Sequence, residues 1–229
     1  MHTRRSVLKL VVALILLTSA GPLRAQDDKK LPKVFIIGDS ISLGYTEPVR
    51  KLLQDKAIVS RPKTNCQHTA YGLANIKAWL GDEKYDVIHF NWGIWDTHMI
   101  SAQGALIRDE SKVTDQMHIR HTPEKYRENL TKLVETMQKS GTKLIWANTT
   151  PVMSRTGKRF DDIKNLNKVA EEVMKEKGVI VNDLYEFVLP NAKEWQGGDK
   201  VHFNAVGNEN LAKRVAASIE EALGKKKDK

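Results

Sequence analysis

One cysteine, Cys66, stands alone among 229 residues. It excludes an intramolecular disulfide, and its expected fate is burial as a small hydrophobic side chain. Long apolar runs are missing too. The longest, Leu10 to Leu17, has eight residues, whereas a bilayer span needs about 20. The chain has no glycine-rich phosphate loop, since Gly38 to Gly44 lacks the lysine a P-loop uses. It has no internal repeat and no break that would mark a second domain. Acidic residues are scarce at its two ends. Residues 1–25 hold Arg4, Arg5, Lys9 and Arg24 with no acid, and residues 225–229 hold four lysines and Asp228. These ends carry +4 and +3 of the net +9, which leaves +2 for everything between them. Basic charge collected in the termini is weak ground for nucleic-acid binding.

The N-terminal charge precedes the apolar run, and a small-residue stretch follows it, with cleavage expected after Ala20 or Ala25. Residues 1–25 therefore read as a signal peptide, and Thr3 to Lys9 resembles a twin-arginine export signal. A periplasmic or secreted location follows as an expectation, without a stable membrane span. Residues 226–229 and Lys225 read as a solvated tail, which leaves 26–224 as one domain.

In that domain, short apolar runs alternate with helical patterns. Strands are expected at Lys33–Ile37, Ala57–Ser60, Tyr85–Phe90, Lys143–Ala147 and Val179–Asn182. Helices are expected at Val49–Leu53, Leu73–Leu80, Pro123–Lys139 and Phe160–Lys177. A last helix is capped by Asn204 and carries Leu211, Val215, Ile219 and Leu223. This alternation predicts an α/β fold whose mostly parallel five-stranded sheet is covered on both faces, with any site at the carboxyl ends of the strands. The polar stretch from Thr97 to His121 fits either a substrate-contacting loop or a tolerated insertion.

Two motifs carry chemistry. Gly38-Asp39-Ser40 directly follows the first strand, so the turn aims a serine out of the sheet edge beside the free N–H groups of a helix start. Asp199-Lys200-Val201-His202 lies just before the last helix. Its spacing lets the carboxylate reach the imidazole Nδ1 and leaves Nε2 free to take a proton from a serine. Ser40 is thus the candidate nucleophile, His202 the base and Asp199 its orienter.

Together with their flanks, these motifs resemble the SGNH (GDSL) hydrolase family. Gly38 to Ser42 is similar to the family's first block. Asp199 to Asn204, with Gly207 and Leu211-Ala212, is similar to its last, and Asn148 to Val152 matches a further common segment. The resemblance spans residues 33 to 223. It implies a three-layer, flavodoxin-like α/β/α sandwich and ester hydrolysis through an acyl-serine, with neither metal nor cofactor. It also implies an oxyanion hole built from the Ser40 N–H, a glycine and an asparagine amide. Gly72 is the best match for the glycine. In the third block Gly93 and Asp96 fit, but Trp95 stands where asparagine is expected, so Asn91 is the expected replacement donor.

Trp92 and Trp95, after the third strand, fit either stacking on a sugar ring or packing in the core, and His98 is a candidate to line the substrate pocket. His89 is expected in the core or at the site edge. His118 and His121 have a metal-like spacing but no third ligand cluster, and read as part of a solvated loop. The expected activity is an exported esterase acting on a small-molecule or polysaccharide ester, most naturally O-acetyl groups on carbohydrate. The alternatives are a lipid esterase or lysophospholipase on the same fold, and a carbohydrate-binding protein with a decayed site.

Overall fold

The computed structural model describes residues 30–107, 112, 114–153 and 158–224, with the side chains of 158–161 left aside. The expected signal peptide at 1–25 and the basic tail at 225–229 lie outside the described residues. Among the described residues no helix is long and apolar enough to cross a membrane.

Five parallel strands form the main sheet: β1 Lys33–Ile37, β2 Ile58–Ser60, β3 Val87–Phe90, β6 Lys143–Ala147 and β7 Ile180–Asn182. Their spatial order is β2-β1-β3-β6-β7, the doubly wound arrangement in which β1 and β3 flank the topological switch point. Period-two alternation sorts each strand's side chains into two layers. Val34, Ile36, Val87, Ile145 and Ala147 enter one core, while Phe35, Ile37, Ile88, Phe90, Leu144 and Trp146 enter the other. Helices α1 Ser40–Leu52 and α7 Ala205–Ala222 cover the first face. Helices α2 Thr69–Leu80 and α3 Pro123–Gln138, with much of α4 Lys158–Lys177, cover the second. Helices α5 Leu184–Val188 and α6 Ala192–Trp195 are short and complete the chain before α7.

Most expected elements match within a few residues. The exception is α1, which begins nine residues before the expected Val49. Gly44 and Pro48 are poor helix formers, and they masked the buried stripe Ile41, Tyr45 and Val49 that holds the helix down. The stretch from Thr97 to His121 contains a two-stranded antiparallel pair, β4 Met99–Ile100 with β5 His118–Ile119. Strands of two residues leave no readable alternation. His89 is fully buried among apolar side chains, and burial pushes its pKa down to about 3. It is a neutral core residue whose Nε2 meets the Asn182 amide at 3.3 Å.

Candidate active site

Strand β1 ends at Ile37, and Gly38-Asp39 turn the chain into α1, whose first residue is Ser40. Asp39 caps the helix by accepting from the Ile41 N–H at 2.9 Å, a contact that fixes the turn. The Ser40 N–H, in the first turn, has no acceptor within its own helix. At the other end of the chain, Asp199 Oδ1 accepts from the Val201 and His202 N–H groups at 3.0 and 2.9 Å. That local turn brings the residues three apart together, with Lys200 at φ 55°.

The two turns meet. Ser40 Oγ lies 2.8 Å from His202 Nε2, and His202 Nδ1 lies 2.5 Å from Asp199 Oδ2. With Nδ1–H donating to the carboxylate, Nε2 is left as the acceptor for the serine O–H. Partial burial pushes the Asp199 carboxyl up, but its bonds from the imidazole and the two N–H groups outweigh this and hold it below the usual carboxylate range. The His202 and Asp199 side chains are 50% and 52% exposed, so the chain of hydrogen bonds opens directly to solvent.

Beneath it, Asp39 is buried, and Oδ2 has no hydrogen-bond partner among the described residues. Burial raises its pKa to about 6, against the lowering effect of the Ile41 N–H and of nearby His202. Because the folded value exceeds the ordinary 3.8, the folded state holds this proton more tightly. The stabilisation is present below pH ~4 and is lost as pH rises through ~6, an effect of about 3 kcal/mol. Asp39→Asn keeps the capping oxygen and removes the buried charge. Urea unfolding should therefore show the variant more stable than wild type above pH ~6, with a flatter pH 4–6 profile.

Three expected contributors are arranged differently. Gly72 lies inside α2 and donates its N–H to the His68 carbonyl at 3.0 Å, so that group is spent. Its missing side chain admits Trp92 instead: a Cβ there would come within 2.8 Å of the indole. Trp92 is itself fully buried, donating from Nε1 to the Cys66 carbonyl at 3.1 Å and accepting from the Tyr126 hydroxyl at 2.7 Å. It is a core residue and offers no face to a substrate. The Asn91 amide nitrogen donates to the Ala147 carbonyl at 2.7 Å and lies 3.3 Å from Thr149 Oγ1. The carbonyl partner can only accept, so the amide orientation is fixed and the group joins two strand ends rather than facing an oxyanion. Asn91→Ala is accordingly expected to cost about 1–3 kcal/mol of stability through the stranded carbonyl. Turnover of the folded fraction should stay near wild type, as thermal melts and kcat together would check.

Trp95 and His98 do lie together, half-buried, with ring centroids 4.8 Å apart. Trp95 packs against the core on the α1 and α7 face of the sheet. Gly93, with φ 159°, allows Thr149 Oγ1 to sit where a Cβ would be, at 2.1 Å. Cys66 is buried, and burial raises its thiol pKa to about 11, so it is held as the unreactive thiol.

A second carboxylate–imidazole pair was not legible in the sequence. Asp96 is fully buried and accepts from the Thr69 hydroxyl at 2.6 Å and from His121 Nδ1 at 2.5 Å. The Asn129 amide completes the network by donating to Thr69 Oγ1 at 3.1 Å. His121 thus belongs to a hydrogen-bond network, while exposed His118 bonds to the Ile119 carbonyl. The two histidines do different work, and among the described residues no cluster of three His, Cys, Asp or Glu side chains is placed to hold a metal ion. A 25-residue gap separates Asp96 from His121, and no local pattern bridges it.

The model of the GDSL-like Lipase/Acylhydrolase family matches residues 36–209. No curated protein is significantly similar to the chain. Among solved structures, a lipase/acylhydrolase from Enterococcus faecalis is similar at 24% identity and a TM-score of 0.67, covering 83% of this chain and 96% of that one. The acetylxylan esterase Axe2 from Geobacillus stearothermophilus is similar at 17% identity and a TM-score of 0.66, covering 84% and 94%. TesA is similar at 17% identity and a TM-score of 0.62, covering 83% and 99%. At these identities the likeness is one of fold.

Proposed function

The chain belongs to the GDSL-like Lipase/Acylhydrolase family, hydrolases of ester bonds, and from that premise we propose an exported serine esterase that removes O-acetyl groups from carbohydrate, with Ser40 as nucleophile. The observation that carries the reading is the unbroken chain from Ser40 Oγ through His202 to Asp199, at 2.8 and 2.5 Å. A serine hydroxyl is a weak nucleophile until a base stands beside it.

In the proposed reaction, Ser40 Oγ attacks the acyl carbon while His202 Nε2 takes the hydroxyl proton. Asp199 stabilises the resulting imidazolium through Nδ1–H. The tetrahedral oxyanion is received by the Ser40 N–H at the start of α1, where the helix dipole adds to the hydrogen bond. Collapse breaks the bond to the alcohol, which leaves with the proton from Nε2. Water then enters, gives its proton to His202 and attacks the acyl-serine. Release of the carboxylic acid returns the proton to Ser40.

Carbohydrate as the alcohol is supported by the half-exposed catalytic groups, which a bulky polymer can reach, and by Trp95 beside His98, an aromatic surface suited to a sugar ring. Acetylxylan esterases are among the proteins of similar fold. Export is supported by the charge and apolar pattern of residues 1–25. An ester panel of acetylated sugars and longer-chain acyl esters, run beside Ser40→Ala, tests the reading. Acetylated sugars should be cleaved fastest, and the variant's rate should fall by at least about 10⁴-fold. A preference for long acyl chains would move the assignment to a lipid esterase.

A further inference from the structure

The third-block turn carries a cation that the proposed reaction does not use. Arg120 follows β5, and its backbone N–H donates to the His98 carbonyl at 2.8 Å. Its Nε donates to the Trp95 carbonyl at 3.2 Å. The side chain is half-buried, and desolvation works against its charge. A guanidinium has five N–H donors, and among the described residues only Nε has an acceptor. The carboxylate close enough to be felt is Asp96, but it makes no ion pair with Arg120. Its oxygens are occupied by the Thr69 N–H and hydroxyl and by His121. A partly desolvated cation with unspent donors is an uneconomical arrangement unless something anionic meets it.

We propose that Arg120 is an anion subsite for the ester cleaved at Ser40, taking a carboxylate or a sulfate carried by the alcohol part of the substrate. The proposal rests on the esterase reading above. Its position supports it. Arg120 hangs on the carbonyl of Trp95, in the turn that leaves the carboxyl end of β3, the strand paired with β1, from whose carboxyl end the chain turns into Ser40. The planar fork of a guanidinium matches the paired oxygens of carboxylate and sulfate. His68 stands nearby and sends no competing charge. Burial first, and then the Arg120 cation, push its pKa down to about 4. The charge that would select an acidic sugar over its neutral counterpart is the Arg120 guanidinium.

The test uses three acetyl esters of one methyl hexoside that differ at C6: hydroxymethyl, carboxylate and sulfate ester. Wild type should favour at least one acidic ester by about 10- to 100-fold in kcat/KM, through KM, as expected for a charge-assisted bidentate contact. Which acidic ester wins identifies the anion. High salt should shrink the preference, and Arg120→Gln should abolish it as a ratio. Equal cleavage of all three esters by wild type, or a preference that survives Arg120→Gln, overturns the proposal. Should the variant fail to fold, inhibition of wild type decides. Glucuronate or glucose 6-sulfate should inhibit neutral-ester cleavage at least tenfold more tightly than glucose, and equal inhibition overturns the subsite. Wild type that cleaves no ester contradicts the esterase reading instead. The subsite is then judged by titration calorimetry with glucuronate and glucose 6-sulfate, where Arg120-dependent binding of either supports it and no binding of both overturns it.

Discussion

Replacing Ser40 with alanine is expected to lower kcat for an acetyl ester by about 10⁴- to 10⁶-fold, the range found when the nucleophile of a serine hydrolase is removed. The expected loss is this large because no other group can take over. Among the described residues His202 Nε2 hydrogen-bonds to the Ser40 hydroxyl alone, and Cys66, the one thiol, is buried and held protonated. Folding should survive the change. Asp39, not Ser40, caps α1, and the buried stripe of that helix is Ile41, Tyr45 and Val49. Stability should therefore move by less than about 1 kcal/mol. Near-native activity in a folded Ser40→Ala protein would remove Ser40 from the mechanism.

Asp199→Asn is expected to cost about 10³- to 10⁴-fold in kcat, nearly as much, for a different reason. Asp199 uses both oxygens: Oδ1 holds the turn through the Val201 and His202 N–H groups, and Oδ2 receives His202 Nδ1–H. Asparagine can keep Oδ1 as the turn's acceptor, but then offers an amide N–H to Nδ1. The imidazole must answer with a lone pair there, which places its proton on Nε2, facing Ser40. The base then presents a donor where an acceptor is needed. The loss should lie in kcat rather than KM, with the melting temperature little changed. It should shrink at high pH, where the serine's need for a base is partly met by hydroxide. Wild-type kcat in Asp199→Asn would show that the bond to Nδ1 does not set the tautomer.

The parts of this site that were legible in the sequence are those whose chemistry is local. Asp199 and His202 are three apart and meet within one turn. Gly38-Asp39-Ser40 sits at a strand–helix junction that the apolar run Lys33–Ile37 announces. The parallel sheet was legible because Val34 to Ile37 and Leu144 to Ala147 are buried on both faces and so form unbroken apolar runs. What depends on distant packing was not legible. Gly72 was expected to lend its N–H to an oxyanion, yet the glycine is needed because an indole from beyond β3 presses against it. Asn91 has the right amide one residue beyond β3, but the neighbouring strand end claims it first. Trp92 and Trp95 differ by three positions and look equivalent as letters. One is sealed in the core and the other stays partly exposed. Arg120 and the Asp96–His121 pair depend on a hairpin of two-residue strands, too short to show periodicity.

The most direct measurement is intact-mass spectrometry after treatment with a fluorophosphonate, which reacts only with a serine that a neighbouring base has activated. Wild type should gain one adduct, mapped by digestion to Ser40, while folded Ser40→Ala should gain none. A wild-type protein that stays unlabelled, or an adduct that persists in Ser40→Ala, would contradict Ser40 as the nucleophile.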